Sequence, residues 1–221
     1  MFFKKALEDY RYLRERDYPE KASLALVGNR YRLSRLERNC LFRGVEKRVV
    51  ARSRRAKLVG PRQVRGRPMA VDWYNVLITV ESRLKGLPVF VADDGLLRDA
   101  SGVHGSYRMG ETSARAVSLI VESLRELGAG RIDVYVDSPV AFSGEMAAQL
   151  RGLLEDQPAE VSVAQSADYP LKRYQGVVCS SDSVVVDQVS AVFDLAREVL
   201  EEKLHCKAPD LDGLEGIQSG G

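Results

Sequence analysis

The chain has 221 residues, 45% of them hydrophobic, with 33 Lys and Arg against 31 Asp and Glu, which is enough apolar content for one sizeable core or one core and a smaller unit. No stretch approaches the ~18 consecutive apolar residues of a membrane span, and the opening MFFKKALEDY puts charges where a signal peptide has its apolar segment. Cys40, Cys179 and Cys206 are scattered without a CxxC pair, so the composition supports neither a disulfide framework nor a zinc site, and the expectation is a cytoplasmic protein with reduced thiols.

The near-neutral total hides a division. Residues 1–70 hold 20 Lys and Arg against 7 Asp and Glu, a balance of +13, whereas residues 71–221 hold 13 against 24, a balance of −11. A basic unit of that strength attracts polyanions through phosphate contacts, and an acidic unit repels them unless metal ions neutralise part of it. The alternative is that each half satisfies the other across an interface, and composition leaves both open.

In chain order, KKALEDYRYLRERD, PEKASLALVGNRY and SRLERNCLFRGV predict three short helices, the last opened by a capping box of Ser34 and Glu37. The Arg-rich connection EKRVVARSRRAKLVGPRQVRGRP follows, and its Gly60, Pro61, Gly66 and Pro68 set a domain boundary near residue 67. Beyond it, short apolar runs alternate with segments of helical period, the pattern of a mostly parallel sheet flanked by helices. MAVDW, PVFVA, RIDVYVD, EVSVAQ and GVVCS are the predicted strands. ETSARAVSLIVESLRELG places Val117, Ile120, Val121, Leu124 and Leu127 on one stripe, and VSAVFDLAREVL does the same with Val189, Val192, Phe193, Ala196 and Leu200. The predicted organisation is a small basic all-α module over 1–67, an α/β domain over 68–206 and a flexible tail over 207–221.

In an open parallel sheet the ligand site lies beyond the carboxyl ends of the strands. Asp72 ends the first strand of the second domain, Asp137 ends RIDVYVD, Asp168 follows EVSVAQ and Asp182 follows GVVCSS. Gathered carboxylates repel one another unless a hard cation sits among them, and Mg²⁺ or Mn²⁺ suits oxygen-only ligands. Each of these acids has a second reading as the N-cap of a turn or helix, a frequent role for Asp, strengthened at Asp168 by Pro170.

VDWYNVLI, with Asp72 and Asn75 three apart, resembles the first motif of PIN-like nucleases of the NYN type, and VVCSSDSVVVD resembles their later motif, with Asp182 and Asp187 five apart. SADYPLKRYQG is similar to the Asp-led helix before that later strand. The resemblance covers roughly residues 69–200; Trp73 stands where the family usually has Gly, and ADDGLLRDASGVHGSYRMGE has no assignable counterpart. It implies a PIN-like fold and a metal-dependent ribonuclease in which Asp72, Asp168 and Asp182 hold Mg²⁺ or Mn²⁺, Asn75 orients a ligand or phosphate, and Asp187 supports the metal from behind. Asp137 stays divided between metal ligand and turn cap. The whole chain also resembles an uncharacterised archaeal two-domain family, DUF434-like, a likeness that implies no activity.

RNA is the expected partner of the basic module, through Arg30, Arg32, Arg35, Arg38, Arg43, Lys47, Arg48, Arg52, Arg54, Arg55 and Lys57, interspersed with Tyr31 and Phe42. In the 91–110 loop, Asp93 and Asp94 are either additions to the acids or a plain Asp-Gly turn, Tyr107 and Arg108 are candidates to grip a nucleotide, and His104 is a candidate acid or base that an exposed loop seldom uses so. No GxxxxGK[ST] or GxGxxG is present, which disfavours nucleotide cofactors, and a toprim-like enzyme lacks its strand Glu. The competing function is a non-catalytic RNA-binding factor on the same fold. Ribosome association and a homo-oligomer both stay open.

Overall fold

The computed structural model describes residues 2–102 and 107–214. Its N-terminal part is helical: α1 (Phe2–Glu15), α2 (Glu20–Arg30), α3 (Arg35–Gly44) and α4 (Arg48–Arg55). Phe3, Ala6, Leu7 and Tyr10 recur at helical spacing along α1 and are buried against Val27 of α2 and Cys40 and Leu41 of α3. The capping box forms as read: Glu37 N–H donates to Ser34 Oγ (3.3 Å) and Ser34 N–H to Glu37 Oε2 (2.7 Å). The Arg-rich stretch read as a connection forms α4, and the one-turn α5 (Pro61–Val64) follows it.

The second part is built on a four-stranded sheet in the order β5–β4–β1–β6, parallel throughout, from β1 (Pro68–Asp72), β4 (Arg131–Asp137), β5 (Ala159–Ala164) and β6 (Val177–Cys179). Alternation sorts its side chains. Met69, Val71, Val177 and Cys179 face one core with α6 (Trp73–Leu84), α7 (Glu111–Leu127) and α8 (Ser143–Leu153). Ala70 and Val178 face another, with α9 (Asp168–Leu171) and α10 (Ser183–Val186). The sheet is thus covered on both faces, which is why β1 reads as an unbroken apolar run before its aspartate. The α7 stripe is buried as expected.

Three expectations are corrected. PVFVA supplies β2 (Val89–Val91), which pairs antiparallel with β3 (Leu97–Asp99) in a separate hairpin instead of joining the parallel sheet. Val89, Val91 and Leu97 face the sheet's core, whereas Phe90 and Ala92 enter the core of the N-terminal helices, so the hairpin stitches the two parts together. The stretch 189–200 is not one helix: Val192 bridges to Leu58 and Val178, and Asp194 then caps α11 (Leu195–Glu198) by accepting from Arg197 N–H (3.0 Å). Its apolar residues are buried all the same. The tail is docked as far as Leu214: Val91 N–H donates to Pro209 O (2.9 Å), and Leu211 is 1% exposed within the N-terminal core. No helix among the described residues is long and apolar enough to cross a membrane.

Candidate active site

From β1 the chain steps outward through β4 to β5 and then returns to the other side of β1 for β6, so the winding reverses between β1 and β6. A crevice beyond the carboxyl ends of those two strands is the expected ligand position. Asp72 closes β1 there, and Ser180, Ser181 and Asp182 leave β6 beside it. Ser180 Oγ donates to Asp72 Oδ2 (2.7 Å) and accepts from Asp182 N–H (3.1 Å), while Asn75 Oδ1 accepts from Ser181 N–H (2.9 Å) and Oγ–H (3.1 Å). These bonds lash the start of α6 to the loop after β6. Asp72 stands at the N-cap position of α6 yet its side chain makes no capping bond and instead accepts from Ser180.

The other acids carry structural duties as well. Asp182 Oδ1 caps α10 by accepting from Val184 N–H (2.8 Å) and Val185 N–H (3.3 Å). Asp137 Oδ1 accepts from Ala167 N–H (2.8 Å), and Asp168 pairs with Lys172 one turn on (3.1 Å). The capping reading therefore holds at Asp182, and a turn-fixing reading at Asp137. The four still act on one another. Asp72 is only 3% exposed, and burial, joined by the negative charges of Asp137, Asp182 and Asp168, pushes its carboxyl up to about 7 against the opposing Ser180 hydroxyl.

Behind this loop lies a buried ionic network that the sequence did not announce. Arg98 of β3, 4% exposed, donates twice to Asp94 (2.8 and 2.8 Å) and twice to Ser181 O (3.2 and 2.9 Å). Arg54 of α4, 5% exposed, grips Asp187 with two bonds (2.7 and 2.9 Å) and reaches Ser183 Oγ (3.2 Å), Glu46 (3.2 Å) and Asp94 (3.4 Å). The network holds down α10 and the serine loop, and it corrects two assignments. Arg54 faces the interior and not RNA, and Asp187, just past α10, has both carboxylate oxygens held by Arg54. The Asp94-Gly95 turn is present, with Gly95 at φ +85°, but Asp94 is fully buried as the anion of this network. Its signal lay in DDGLLRD, an Asp-Gly turn between two short apolar runs.

The charge division is partly self-satisfying. Arg11 pairs with Asp93 (2.5 Å) and Asp212 (2.7 Å), Arg43 with buried Asp99 (3.2 Å), and Lys47 with Asp17. Arg38 donates to Leu33 O (3.1 Å) and Asn29 Oδ1 (3.1 Å), and Lys57 to Val186 O (2.8 Å) and Asp187 O (3.0 Å). Tyr107 is buried against Tyr74, ring centroids 5.4 Å apart, with its hydroxyl 3.1 Å from Ser113 Oγ, so it presents no face to a nucleotide. Arg30, Arg32, Arg35, Arg48, Arg52, Arg55 and Arg108 are exposed. His104 lies outside the described residues.

A cleft of about 720 Å³ runs between the two parts, with Asn75, Ser181 and Asp182 on one wall and Asn39, Phe42 and Arg43 of α3 on the other. The crevice acids suit a hard cation in kind, being all oxygen donors, and relief of the repulsion that lifts Asp72 is what such an ion would supply. Their spacing is open: among the described residues no three Asp, Glu, His or Cys side chains stand as a ready-made cage.

Fold and site define an α/β protein with a parallel sheet covered on both faces and an acidic crevice at its switch point. The family model described as "Domain of unknown function (DUF5616)" matches residues 61–198, and "Protein of unknown function (DUF434)" matches residues 2–57. The chain is 33% identical over 205 residues to "Uncharacterized protein MJ0935" of Methanocaldococcus jannaschii, an alignment spanning 91% of this chain and 98% of that one. The chain therefore belongs to the DUF5616 family, with a DUF434 region in front. No solved structure matches it.

Proposed function

We propose that this chain is a metal-dependent ribonuclease of PIN-like type, working at the β1/β6 crevice on RNA that the N-terminal module holds alongside. The observation that carries the reading is the convergence on buried Asp72 of three other carboxylate charges, from beyond the ends of three different strands, which add to burial in raising its carboxyl to about 7. Perturbation of that kind by burial and like charge marks a site built around charge. Asp72 and Asp182 would hold Mg²⁺ or Mn²⁺, with Asp137 and Asp168 completing the oxygen set. A bound divalent ion supplies neutralisation of phosphodiester charge and a more acidic water. The chain's own work is positional. Ser180 orients Asp72, Ser181 fixes the Asn75 amide at the cleft wall, and the Arg54–Asp94–Arg98 network keeps the serine loop in place.

A second reading, a non-catalytic RNA-binding factor on the same fold, is favoured by the prior commitments of Asp137, Asp168 and Asp182 to backbone and Lys172. The two are separated by incubating the full chain with a mixed pool of labelled RNAs in Mn²⁺ or Mg²⁺, beside EDTA and an Asp72→Asn/Asp182→Asn double variant. Cleavage that needs metal and disappears in the double variant supports the nuclease. Salt-sensitive RNA binding retained by the double variant, without cleavage in either metal, replaces it with the binding factor.

A further inference from the structure

A second cleft, of about 740 Å³, lies between α1 and α4 and meets the cleft walled by Asn75, Ser181 and Asp182 at Glu46, which lines both. Arg48, Arg52 and Arg55 recur along α4 at steps of four and three, which puts all three on one face of the helix, and all three line this groove. Tyr12 of α1 and Arg16, in the turn just past that helix, form the facing wall, with the Arg16 guanidinium 3.5 Å over the Tyr12 ring. Tyr12 is 56% exposed, an aromatic face left to solvent beside a row of cations.

The groove also contains acids, and their engagement decides its character. Asp93 and Asp212 are both held by Arg11, Glu46 by Arg54 and Arg14, and Glu15 by the backbone N–H of Arg48, while Glu8, exposed on the α1 wall, has no ion-pair partner among the described residues. Among the described residues, Arg16, Arg48 and Arg52 have no carboxylate within salt-bridge distance, and Arg55 donates only to a carbonyl, Asp93 O (2.7 Å). Guanidinia without carboxylate partners, aligned along a groove beside an exposed aromatic ring, match the alternation of phosphate and base in a single strand.

We infer that the α1–α4 groove is the track for single-stranded RNA, with Arg16, Arg48 and Arg52 on successive phosphates and a base stacked on Tyr12, and that the strand continues past Glu46 into the cleft walled by Asn75, Ser181 and Asp182. The inference rests on the RNA reading above and deepens it. It assigns Tyr12 and Arg16, and it shifts the grip from the α2–α3 arginines to α4.

The test is fluorescence anisotropy with a labelled single-stranded oligoribonucleotide and its duplex, in EDTA so that cleavage plays no part, across a salt series. The variants are Arg16→Gln/Arg48→Gln/Arg52→Gln, an equal-charge control Arg62→Gln/Arg65→Gln/Arg67→Gln on the exposed surface around α5, Tyr12→Ala and Tyr12→Phe. Loss of three single-strand phosphate contacts should flatten the slope of log affinity against log salt by about 2, at ~0.7 per contact, while the control stays near wild type. Tyr12→Ala should weaken binding on the order of tenfold, with Tyr12→Phe close to wild type. Each side chain is exposed or groove-lining, and matched circular dichroism spectra verify that all variants fold. Wild-type binding that the groove variant leaves unchanged overturns this inference and leaves the RNA reading standing. A wild-type chain that binds no RNA overturns both, and tighter binding of duplex than of single strand overturns the single-strand assignment.

Discussion

Replacing Asp72 with Asn should stabilise the protein at neutral and alkaline pH. The carboxyl is raised from its ordinary 3.8 to about 7, first by burial and then by Asp137, Asp182 and Asp168. Because the folded state holds this proton more tightly than the unfolded chain, stability is full below pH ~4, falls as pH rises towards ~7 and is level beyond. A rise of about three units at ~1.36 kcal/mol each gives a cost of about 4 kcal/mol above pH ~7. Asn keeps an oxygen to accept from Ser180 but brings an amide NH₂ whose burial costs about 1–2 kcal/mol, so the expected net gain is about 2–3 kcal/mol. Urea unfolding followed by circular dichroism, in EDTA at about pH 4.5 and about pH 8, measures it. The variant should be clearly more stable at the higher pH, with the difference vanishing or reversing at the lower. Asp194, also raised by desolvation, is common to both proteins and cancels. Equal stability at pH ~8, or a difference independent of pH, would refute the argument that Asp72 carries the electrostatic cost of the crevice.

Other outcomes follow from the same geometry. Asp182→Asn should leave stability within about 0.5 kcal/mol, because Asn caps α10 as well as Asp does, whereas Asp182→Ala should cost about 1 kcal/mol; denaturant midpoints distinguish charge from cap. Arg54→Gln should destabilise by about 1–3 kcal/mol, since it releases Asp187 and the tie to Ser183 while Asp94 keeps both bonds from Arg98, and Arg54→Lys should recover only part of the loss for want of the two-pronged grip. Leu211→Ala should cost about 2–5 kcal/mol, where an undocked tail would cost nothing; thermal unfolding decides.

The four strands of the parallel sheet and helices α1, α2, α3 and α7 were legible because local signals agree with their surroundings. Ser34 and Glu37 announce the start of α3, the α7 stripe has a single period, and the four sheet strands are apolar runs closed by turns. What misled was context beyond the run. PVFVA is as apolar as any sheet strand, and only the Asp-Gly turn and the alternation of Phe90 with Val89 and Val91 betray a hairpin facing two cores. The stripe in 189–200 has helical spacing, yet Val192 is claimed by bridges to Leu58 and Val178, pairings no window on the sequence contains. The convergence of acids at Asp72 was readable from strand ends alone, whereas the fate of each arginine was not. Arg54 and Arg52 look alike in RSRR, but two positions of helix put one against Asp187 and the other in the groove. The sense of the charge division depends on such partners.

The claim at the centre of this account is that the crevice acids form a cation site. Calorimetric titration of the full chain with Mn²⁺, beside the Asp72→Asn/Asp182→Asn variant, tests it most directly. The account predicts saturable binding to the wild-type chain that the double variant abolishes while its fold is retained. Absence of binding to the wild type, or equal binding to both, would contradict it and leave Asp182 and Asp137 as caps of the turns they already hold.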